Sequence, residues 1–343
     1  QFSQWIQTEL ADCPDPDELF AAAQERIMHL QPKTKQQTFV YGFDTLASYD
    51  ALMMDRIRAQ QDGKAVIFDW PWKTWNGMVR PLRSGLAGVI AAPDGVGKSS
   101  ALEMIAEHWA TKSNVVFVHL ENDLDYTLDR RMCRHSRLPM SAIEDGTFTP
   151  DQHKRAQTAA RQMENFAPRL HYFDASGKTM PEIIAELQVR KAEGVCDAVV
   201  MDYLNKVRPT RSQSKLFGED GLGRQADNME QFKSFAVRYK VPVLTATQMN
   251  KEGQMAGRQT RRNIRGSGEI SEKSQLVIVM TRDVLERELT DIRGQVIAQA
   301  GEYSPVMKVR IDKQNRGKTG EFEQLYNGAC FEIRDKSCAN TST

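Results

Sequence analysis

The chain has 343 residues, of which 40% are hydrophobic and 27% are charged, and its formal net charge is +1. This length allows one large or two ordinary domains, and the composition is typical of a soluble globular protein. A near-neutral charge excludes a wholly polybasic or polyacidic protein but allows a local basic patch. Because the longest apolar runs are strand-sized, the sequence predicts no transmembrane helix and no membrane partner.

Residues 1–65 are predicted to form a helical segment. From Asp15 to Leu30, apolar residues recur at helical spacing, and a capping Asp15 is followed by Pro16 at the first helical position. A second helical stretch is predicted from Asp44 to Gln61. The segment 69–76 is rich in aromatic and turn-forming residues, and it is predicted to connect this segment to the next domain.

Residues 66–343 are predicted to form an α/β domain in which strands and helices alternate. Helical patterns cover, for instance, Met180–Glu193 and Arg224–Tyr239. Continuous apolar strands separated by helices favour a mostly parallel sheet with helices on both faces. Segments 205–224 and 250–269 have no such pattern and are predicted to be long surface loops. The predicted strands are Ala87–Ala91, Val115–Leu120, Leu170–Phe173, Ala198–Met201, Val243–Thr247, Leu276–Met280 and Met307–Asp312.

The sequence A-A-P-D-G-V-G-K-S-S at 91–100 predicts a phosphate-binding loop between a strand and a helix. In such a loop Lys98 would reach the β- and γ-phosphates of ATP, and the Ser99 hydroxyl would bind Mg²⁺. Ala92 stands where the full pattern has glycine. ATP and Mg²⁺ are therefore the predicted cofactors. The predicted nucleotide-binding residues are Pro93, Asp94, Gly95, Val96, Gly97, Lys98, Ser99 and Ser100.

Three later strands end in polar residues that suit nucleotide hydrolysis. Glu121 could polarise the attacking water, Asp202 could hold Mg²⁺ beside Ser99, and Gln248 could sense the γ-phosphate. In parallel sheets, ligands bind beyond the carboxyl ends of the strands, so these side chains are expected to face one site. No guanine-recognition motif of the N-K-x-D type occurs, which argues against a small GTPase.

From about Trp75 to Ile333 the chain resembles the RecA-like ATPase domain of DnaB-type replicative hexameric helicases. The resemblance is carried by G-L-A-G-V-I-A-A-P-D-G-V-G-K-S-S, V-F-V-H-L-E-N, D-A-V-V-M-D-Y-L and K-V-P-V-L-T-A-T-Q-M-N-K. It continues through I-R-G-S-G-E-I-S-E-K-S-Q-L-V-I-V-M and I-D-K-Q-N-R-G-K-T-G. The order and spacing of these stretches fit the family, in which alanine is also common at the position of Ala92.

The resemblance implies catalytic roles for Lys98, Glu121, Asp202 and Gln248, in agreement with the roles inferred from the residues. It also implies that Lys313 and Arg316 reach the ATP of a neighbouring subunit. The family pattern is K-x-R-N-G, whereas this chain has K-Q-N-R-G, so Arg316 is displaced by one position. A solvated turn is the alternative interpretation of this pair.

Two basic segments are candidates for a nucleic-acid interface, since lysine and arginine track a phosphate backbone. The first follows the strand that ends at Gln248, and it contains Lys251, Arg258, Arg261, Arg262 and Arg265. The second contains Lys206, Arg208, Arg211 and Lys215. In the resembled family, loops in these regions line the channel of a ring. A solvated basic surface and a contact between subunits are the alternatives.

The leading hypothesis is therefore an ATP-driven motor that forms a homo-oligomeric, hexameric ring on single-stranded DNA. The alternatives are a RecA-fold ATPase that does not unwind DNA, such as a recombinase, a regulatory ATPase or a protein-remodelling loader, and a module in which ATP only joins subunits. Five scattered cysteines fit a reduced, cytoplasmic setting in a cell or in the host of a virus or plasmid. Since the chain begins at Gln1 instead of Met, an upstream domain or a primase is an additional expected partner.

Overall fold

The computed structural model describes residues 42–61, 67–121, 123–217, 222–249, 268–290 and 296–336. The chain divides into two compact units, Gln1–Ile67 and Phe68–Thr343. The described part of the first unit is one helix, α1 (Gly42–Gln61), which begins two residues before the predicted start. The helix predicted from Asp15 lies outside the described residues. Within the described residues, no helix combines the length and the apolar character needed to cross a bilayer.

A nine-stranded mixed sheet forms the framework of the second unit. Its first six strands are β1 (Ala87–Ala92), β2 (Val115–His119), β3 (Leu170–Asp174), β4 (Ala198–Asp202), β5 (Val243–Gln248) and β6 (Leu276–Val284). These six are parallel neighbours in the order β3-β2-β4-β5-β1-β6. All six were predicted from their apolar runs, and the α/β fold class with a mostly parallel sheet is confirmed.

An antiparallel extension continues the sheet beyond β6. A short separate pair, β7 (Leu289–Thr290) and β8 (Val296–Ala298), precedes it. The extension consists of β9 (Tyr303–Gln314), β10 (Gly320–Asn327) and β11 (Glu332–Asp335). The sequence predicted only the central part of β9, so β10 and β11 are additions to the expected sheet.

The helices that follow the strands cover both faces of the sheet. On one face, α3 (Lys98–Ala110) buries Leu102, Ile105 and Trp109 against the strands. On the other face, α7 (Met180–Ala192) and α9 (Leu222–Tyr239) bury residues such as Ile183 and Phe232. The described helices of this unit are α2 (Lys73–Met78), α3 (Lys98–Ala110), α4 (Leu124–Ser136), α5 (Met140–Glu144), α6 (Pro150–Met163), α7 (Met180–Ala192), α8 (Arg211–Phe217), α9 (Leu222–Tyr239) and α10 (Gly268–Lys273).

The aromatic segment 69–76, predicted as a connection into this domain, is part of its hydrophobic core. Trp70, Trp72 and Trp75 are almost completely buried. The Trp75 indole donates a hydrogen bond of 2.7 Å to Gln324 Oε1, and that of Trp72 donates one of 2.8 Å to the Ile333 carbonyl. The segment therefore packs against the antiparallel extension, which the sequence analysis did not predict.

The prediction of a long loop over 205–224 was also wrong. Residues 204–206 form a 3-10 turn, α8 covers Arg211–Phe217, and α9 begins at Leu222. Gln213 stabilises this region because its buried amide donates hydrogen bonds to Asp227 and Asn228 of α9. The second predicted loop, 250–269, lies almost entirely outside the described residues.

Candidate functional site

The phosphate-binding loop predicted within 91–100 connects the end of β1 to the start of α3 through residues 93–97. Gly95 and Gly97 have φ angles of 74° and 119°, in the left-handed region that favours glycine. A Cβ on Gly97 would lie only 3.0 Å from the Tyr326 ring. The first backbone N–H groups of α3 have no partners within their own helix, so this end of the helix can bind an anion.

Lys98 lies inside the curve of this loop. Its ammonium donates hydrogen bonds to the carbonyls of Ala92 and Pro93, at 3.2 and 3.0 Å. It also pairs with Asp94 Oδ1 at 3.1 Å and lies 5.7 Å from the centroid of the Tyr203 ring. The side chain of Lys98 is 8% exposed, so the loop holds a nearly buried positive charge.

Asp202 ends β4 and lies beside the first turn of α3. Burial raises the pKa of the Asp202 carboxyl to about 6, although a hydrogen bond donated by Ser99 opposes the rise. Asp202 Oδ1 is buried without a hydrogen-bond partner among the described residues. A buried polar atom without a partner is costly, and carboxylate and hydroxyl oxygens are ligands that Mg²⁺ accepts. The Ser99–Asp202 pair therefore fits a magnesium ion.

Glu121 lies at the end of β2, next to the strand that carries Asp202. The Leu120 N–H donates a hydrogen bond of 3.1 Å to the Asp202 carbonyl, which fixes the two strand ends side by side. The Glu121 carboxylate is 43% exposed and pairs with Lys206 Nζ at 2.9 Å. Lys206 was predicted as a candidate nucleic-acid contact. In the structure it forms an ion pair with the Glu121 carboxylate.

Gln248 ends β5, directly opposite Ala92 in the register of β5 with β1. Its side-chain amide donates a hydrogen bond to Asp94 Oδ2. The backbone N–H of Gln248 donates to Asn205 Oδ1 at 3.2 Å, so the strand end is also joined to the turn after β4. Lys98, Glu121, Asp202 and Gln248 thus lie at or just beyond the carboxyl ends of four neighbouring strands.

An arginine that was not predicted as a site residue lies between two tyrosines and borders the loop on its other side. The Arg282 guanidinium lies 5.4 Å from the ring centroid of Tyr303 and 4.6 Å from that of Tyr326. It also donates a hydrogen bond of 3.3 Å to the Gly95 carbonyl. A flat side chain of this kind beside a phosphate-binding loop can stack on a nucleobase.

The remaining residues of the predicted nucleotide site face the protein interior. Val96 is fully buried in the hydrophobic core. Ser100 is buried, its hydroxyl accepts a hydrogen bond of 2.9 Å from Arg130, and it lies 3.3 Å from the Tyr326 hydroxyl. These two side chains therefore stabilise the loop, and only their backbone groups could meet a phosphate.

Behind the loop, a buried ionic network joins α3 to α4. Glu107 accepts hydrogen bonds of 2.5 Å from both Arg131 and Arg134. Glu103 pairs with Arg130 at 3.3 Å and with Arg134 at 3.1 Å. Burial would raise the pKa of Glu107, but Arg134 and Arg131 outweigh it and hold that pKa well below its usual range. Helix α4, which begins three residues after Glu121, is thereby fixed to the helix that begins at Lys98.

The predicted trans-acting pair, Lys313 and Arg316, lies at the far end of β9. Lys313 Nζ donates hydrogen bonds to the carbonyls of Ser271 and Glu272, at 2.8 and 3.0 Å, near the end of α10. Arg316 is exposed in the turn between β9 and β10. The end of β9, next to this turn, is therefore hydrogen-bonded to α10, the helix that follows the first basic segment in the sequence.

The two basic segments differ in how much of them the structure describes. Lys251, Arg258, Arg261, Arg262 and Arg265 lie outside the described residues. In the second segment, Arg208, Arg211 and Lys215 are exposed. The Arg208 N–H donates a hydrogen bond of 2.9 Å to the Lys178 carbonyl, which fixes the backbone before α8.

A family model described as the DnaB-like helicase C-terminal domain matches residues 72–335. The chain belongs to this family. The match begins within the tryptophan-rich segment and ends with β11, so it includes both the parallel strands and the antiparallel extension.

Known relatives of this DnaB-like chain include helicases from two strains of one bacterium. The replicative DNA helicase DnaB of Buchnera aphidicola subsp. Baizongia pistaciae (strain Bp) is 22% identical over 246 residues, which are 70% of this chain and 49% of the relative. Its counterpart from Buchnera aphidicola subsp. Acyrthosiphon pisum (strain APS) is 21% identical over 246 residues, covering 70% of this chain and 50% of that protein. The chain thus spans about half the length of the curated relatives it matches.

Solved structures share the DnaB-like fold. One is a DnaB-like replicative helicase described together with its interactions with primase, which matches with a TM-score of 0.66 and 15% identity over 97% of this chain and 74% of that one. Another is the ATPase domain of a second protein, with a TM-score of 0.66 and 16% identity over 84% of this chain and 98% of that domain. The predicted RecA-like ATPase fold is therefore confirmed.

Proposed function

We propose that this chain contains the ATP-hydrolysing motor of a replicative DNA helicase, with residues 66–343 as the motor domain and residues 1–65 as a helical linker. The observation that carries this proposal is the series of polar side chains at the ends of β1, β5, β4 and β2, which are consecutive in the sheet. A lysine, an amide and two carboxylates in this order are the groups needed to bind a triphosphate and to activate water.

Lys98 and the first turn of α3 bind the phosphates, and Ser99 and Asp202 hold Mg²⁺. When bound, the metal ion neutralises the charge that develops on the phosphate oxygens. Arg282 and Tyr326 stack on the nucleobase, because both lie against the glycines of the loop. Gly97 leaves room for the Tyr326 ring, since a Cβ on residue 97 would press on that ring.

Glu121 acts as the general base for hydrolysis. Its carboxylate is partly exposed at the end of β2, where it can accept a proton from the attacking water. Gln248 reports on the γ-phosphate because its amide already contacts Asp94 of the loop. The basic segment that contains Lys251 and Arg258 follows Gln248 directly, so a shift of Gln248 would move that segment.

Arg316 of one subunit completes the site of its neighbour in a homo-oligomeric ring, which we propose to be a hexamer. An arginine supplied in trans accelerates phosphoryl transfer by about 10³-fold or more. Exposure of Arg316 in a turn supports this role. Single-stranded DNA is the proposed substrate, and a primase the proposed partner, since a related structure is described with primase.

The test is ATP turnover with and without single-stranded DNA, together with a mass measurement of the particle. DNA-stimulated turnover by a ring-sized oligomer is the expected result, with Lys98→Ala as the inactive control. ATP turnover that ignores DNA would instead support a RecA-fold ATPase that does not unwind. Wild-type turnover by Lys98→Ala would remove the assignment of the nucleotide site.

A further inference from the structure

Lys206 makes a contact that the proposed reaction does not need. Its ammonium lies 2.9 Å from Glu121 Oε1, and the two side chains are 42% and 43% exposed. The same ammonium lies 5.8 Å from the centroid of the Tyr203 ring, which is also within 5.7 Å of Lys98 Nζ. The residue that would activate water is therefore paired with a cation that solvent and ligands can reach.

The backbone that carries Lys206 is held firmly in place. Lys206 ends the 3-10 turn that follows Asp202 and Tyr203. Asn205 in this turn accepts hydrogen bonds from Thr247 Oγ1 at 2.9 Å and from the Gln248 N–H, and it donates one of 3.0 Å to Gln225. Because these contacts fix the turn, the fold sets the position of Lys206, and only its long side chain is able to swing.

We infer that Lys206 is a positioning residue that restrains Glu121 until a phosphate of single-stranded nucleic acid draws the lysine away. This inference rests on the proposed function, in which Glu121 is the general base. While the pair is formed, the carboxylate is oriented toward the ammonium and is a weaker acceptor for the proton of water. When the pair separates, Glu121 is available to the attacking water.

A nucleic-acid phosphate is the competitor that the surroundings favour. The chain continues from Lys206 into α8 through exposed Arg208 and Arg211, so an anionic strand on this surface meets several positive charges. An exposed lysine–carboxylate pair is weak and screened by salt, so a strand that contacts several cations can displace it. Binding of the nucleic acid to this surface therefore also releases Glu121 from Lys206.

The test compares Lys206→Met, which removes the charge, with Lys206→Arg, which keeps it. Without DNA, and at saturating ATP, Lys206→Met is expected to raise kcat about two- to fivefold, the range that an exposed ion pair supports, with KM for ATP unchanged. A single-stranded oligothymidylate should then stimulate this variant less than the wild type. Lys206→Arg should retain the low basal rate and the full stimulation.

The matched control is Lys336→Met, because Lys336 forms an equally exposed pair with Glu323, at 2.5 Å and with exposures of 51% and 42%. This control should behave as the wild type. Ionic strength gives a second readout, since raising it from about 0.01 M to about 0.15 M shortens the Debye length from about 30 Å to about 8 Å. The basal kcat of the wild type should rise over this range, and that of Lys206→Met should not.

Two results would overturn the inference. A basal kcat of Lys206→Met at or below the wild-type value, with normal DNA stimulation, would show that the pair does not restrain Glu121, and the proposed function would stand. Wild-type protein without any ATP turnover would remove the proposed function and this inference together.

Discussion

Gln248 and Lys98 meet on one carboxylate, that of Asp94. Lys98 Nζ contacts Asp94 Oδ1 at 3.1 Å, and the Gln248 amide donates a hydrogen bond to Asp94 Oδ2. The two groups expected to contact the terminal phosphate are therefore joined by an acidic residue of the loop itself. A bound phosphate would compete with Asp94 for Lys98, because both anions use the same ammonium.

Replacement of Asp94 by serine is expected to lower KM for ATP about two- to fivefold. The carboxylate repels the triphosphate and partly neutralises Lys98, but it is 67% exposed, so solvent screens the effect and keeps it small. Initial-rate measurements over a range of ATP concentrations give KM. Asp55→Ser is the control, since Asp55 is an exposed residue of α1. A higher KM for Asp94→Ser would mean that Asp94 helps to bind the nucleotide.

The substitution Glu121→Gln should leave ATP binding intact and reduce hydrolysis by about 10²- to 10⁴-fold, the contribution of a general base. The amide keeps the size of the side chain but cannot accept the proton of water. Equilibrium binding of a fluorescent ATP analogue, combined with single-turnover hydrolysis, separates the two effects. If binding were lost as well, Glu121 would have a structural role.

The strand ends were the most predictable part of the site. Glu121, Asp202 and Gln248 could be found because each follows an apolar run of strand length, and parallel strands end at the same edge. Arg282 obeys the same rule, since it lies near the end of β6, which is parallel to β1 and next to it. Applied to the apolar run of β6, the rule indicates the two polar residues that follow Met280, Thr281 and Arg282.

The antiparallel extension could not be found in this way. In β10, Gln324 is the only fully buried residue, and charged glutamates alternate with Phe322, so the strand does not read as apolar. The position of β10 is fixed by pairing with β9 and by a hydrogen bond from Trp75, which lies 249 residues earlier in the chain. Tyr326 likewise gains its place beside the loop only through this long-range pairing, which local sequence patterns do not encode.

Tyr326→Ala is expected to raise KM for ATP about tenfold, because a base–aromatic stack is worth about 1–3 kcal/mol. Tyr326→Phe keeps the ring and loses only the hydroxyl contact to Ser100, so its KM should stay within about twofold of the wild type. The measurement is KM for ATP and for a second nucleoside triphosphate. Equal effects of the two substitutions would argue against stacking.

Glu107→Gln is expected to lower the free energy of unfolding by about 3–5 kcal/mol, because it leaves buried Arg131 without its carboxylate and Arg134 with only that of Glu103. Urea denaturation measures the loss. Glu186→Gln is the control, since it breaks an exposed pair with Arg190 and should cost less than about 1 kcal/mol.

The same network predicts a dependence of stability on pH. The folded-state pKa of Glu107 lies below the ordinary value of 4.5, so its contribution is fully present above that pH and is lost as the pH falls through the lower, folded-state value. The wild type should therefore lose stability below about pH 4.5 more steeply than Glu107→Gln. Parallel curves for the two proteins would contradict the assignment of this titration to Glu107.

Neutralising Arg258, Arg261, Arg262 and Arg265 together should weaken binding of single-stranded DNA. It should also reduce the slope of log affinity against log salt by up to about 3, since each phosphate contact contributes about 0.7. Fluorescence anisotropy at several salt concentrations provides the slope. The control is a variant in which Lys154 and Arg161 of α6 are neutralised. An unchanged slope in the test variant would mean that the nucleic-acid interface does not include these four arginines.

The hydrogen bond from the Trp72 indole to the Ile333 carbonyl spans 261 residues of sequence. At about 5–20 residues per second, a ribosome needs roughly 13–50 s to make the second partner after the first. Throughout that interval the tryptophan-rich start of the second unit has no final strands to cover it. The nascent chain is therefore vulnerable to aggregation until its last strand emerges, and synthesis that stops before residue 335 leaves these indoles uncovered.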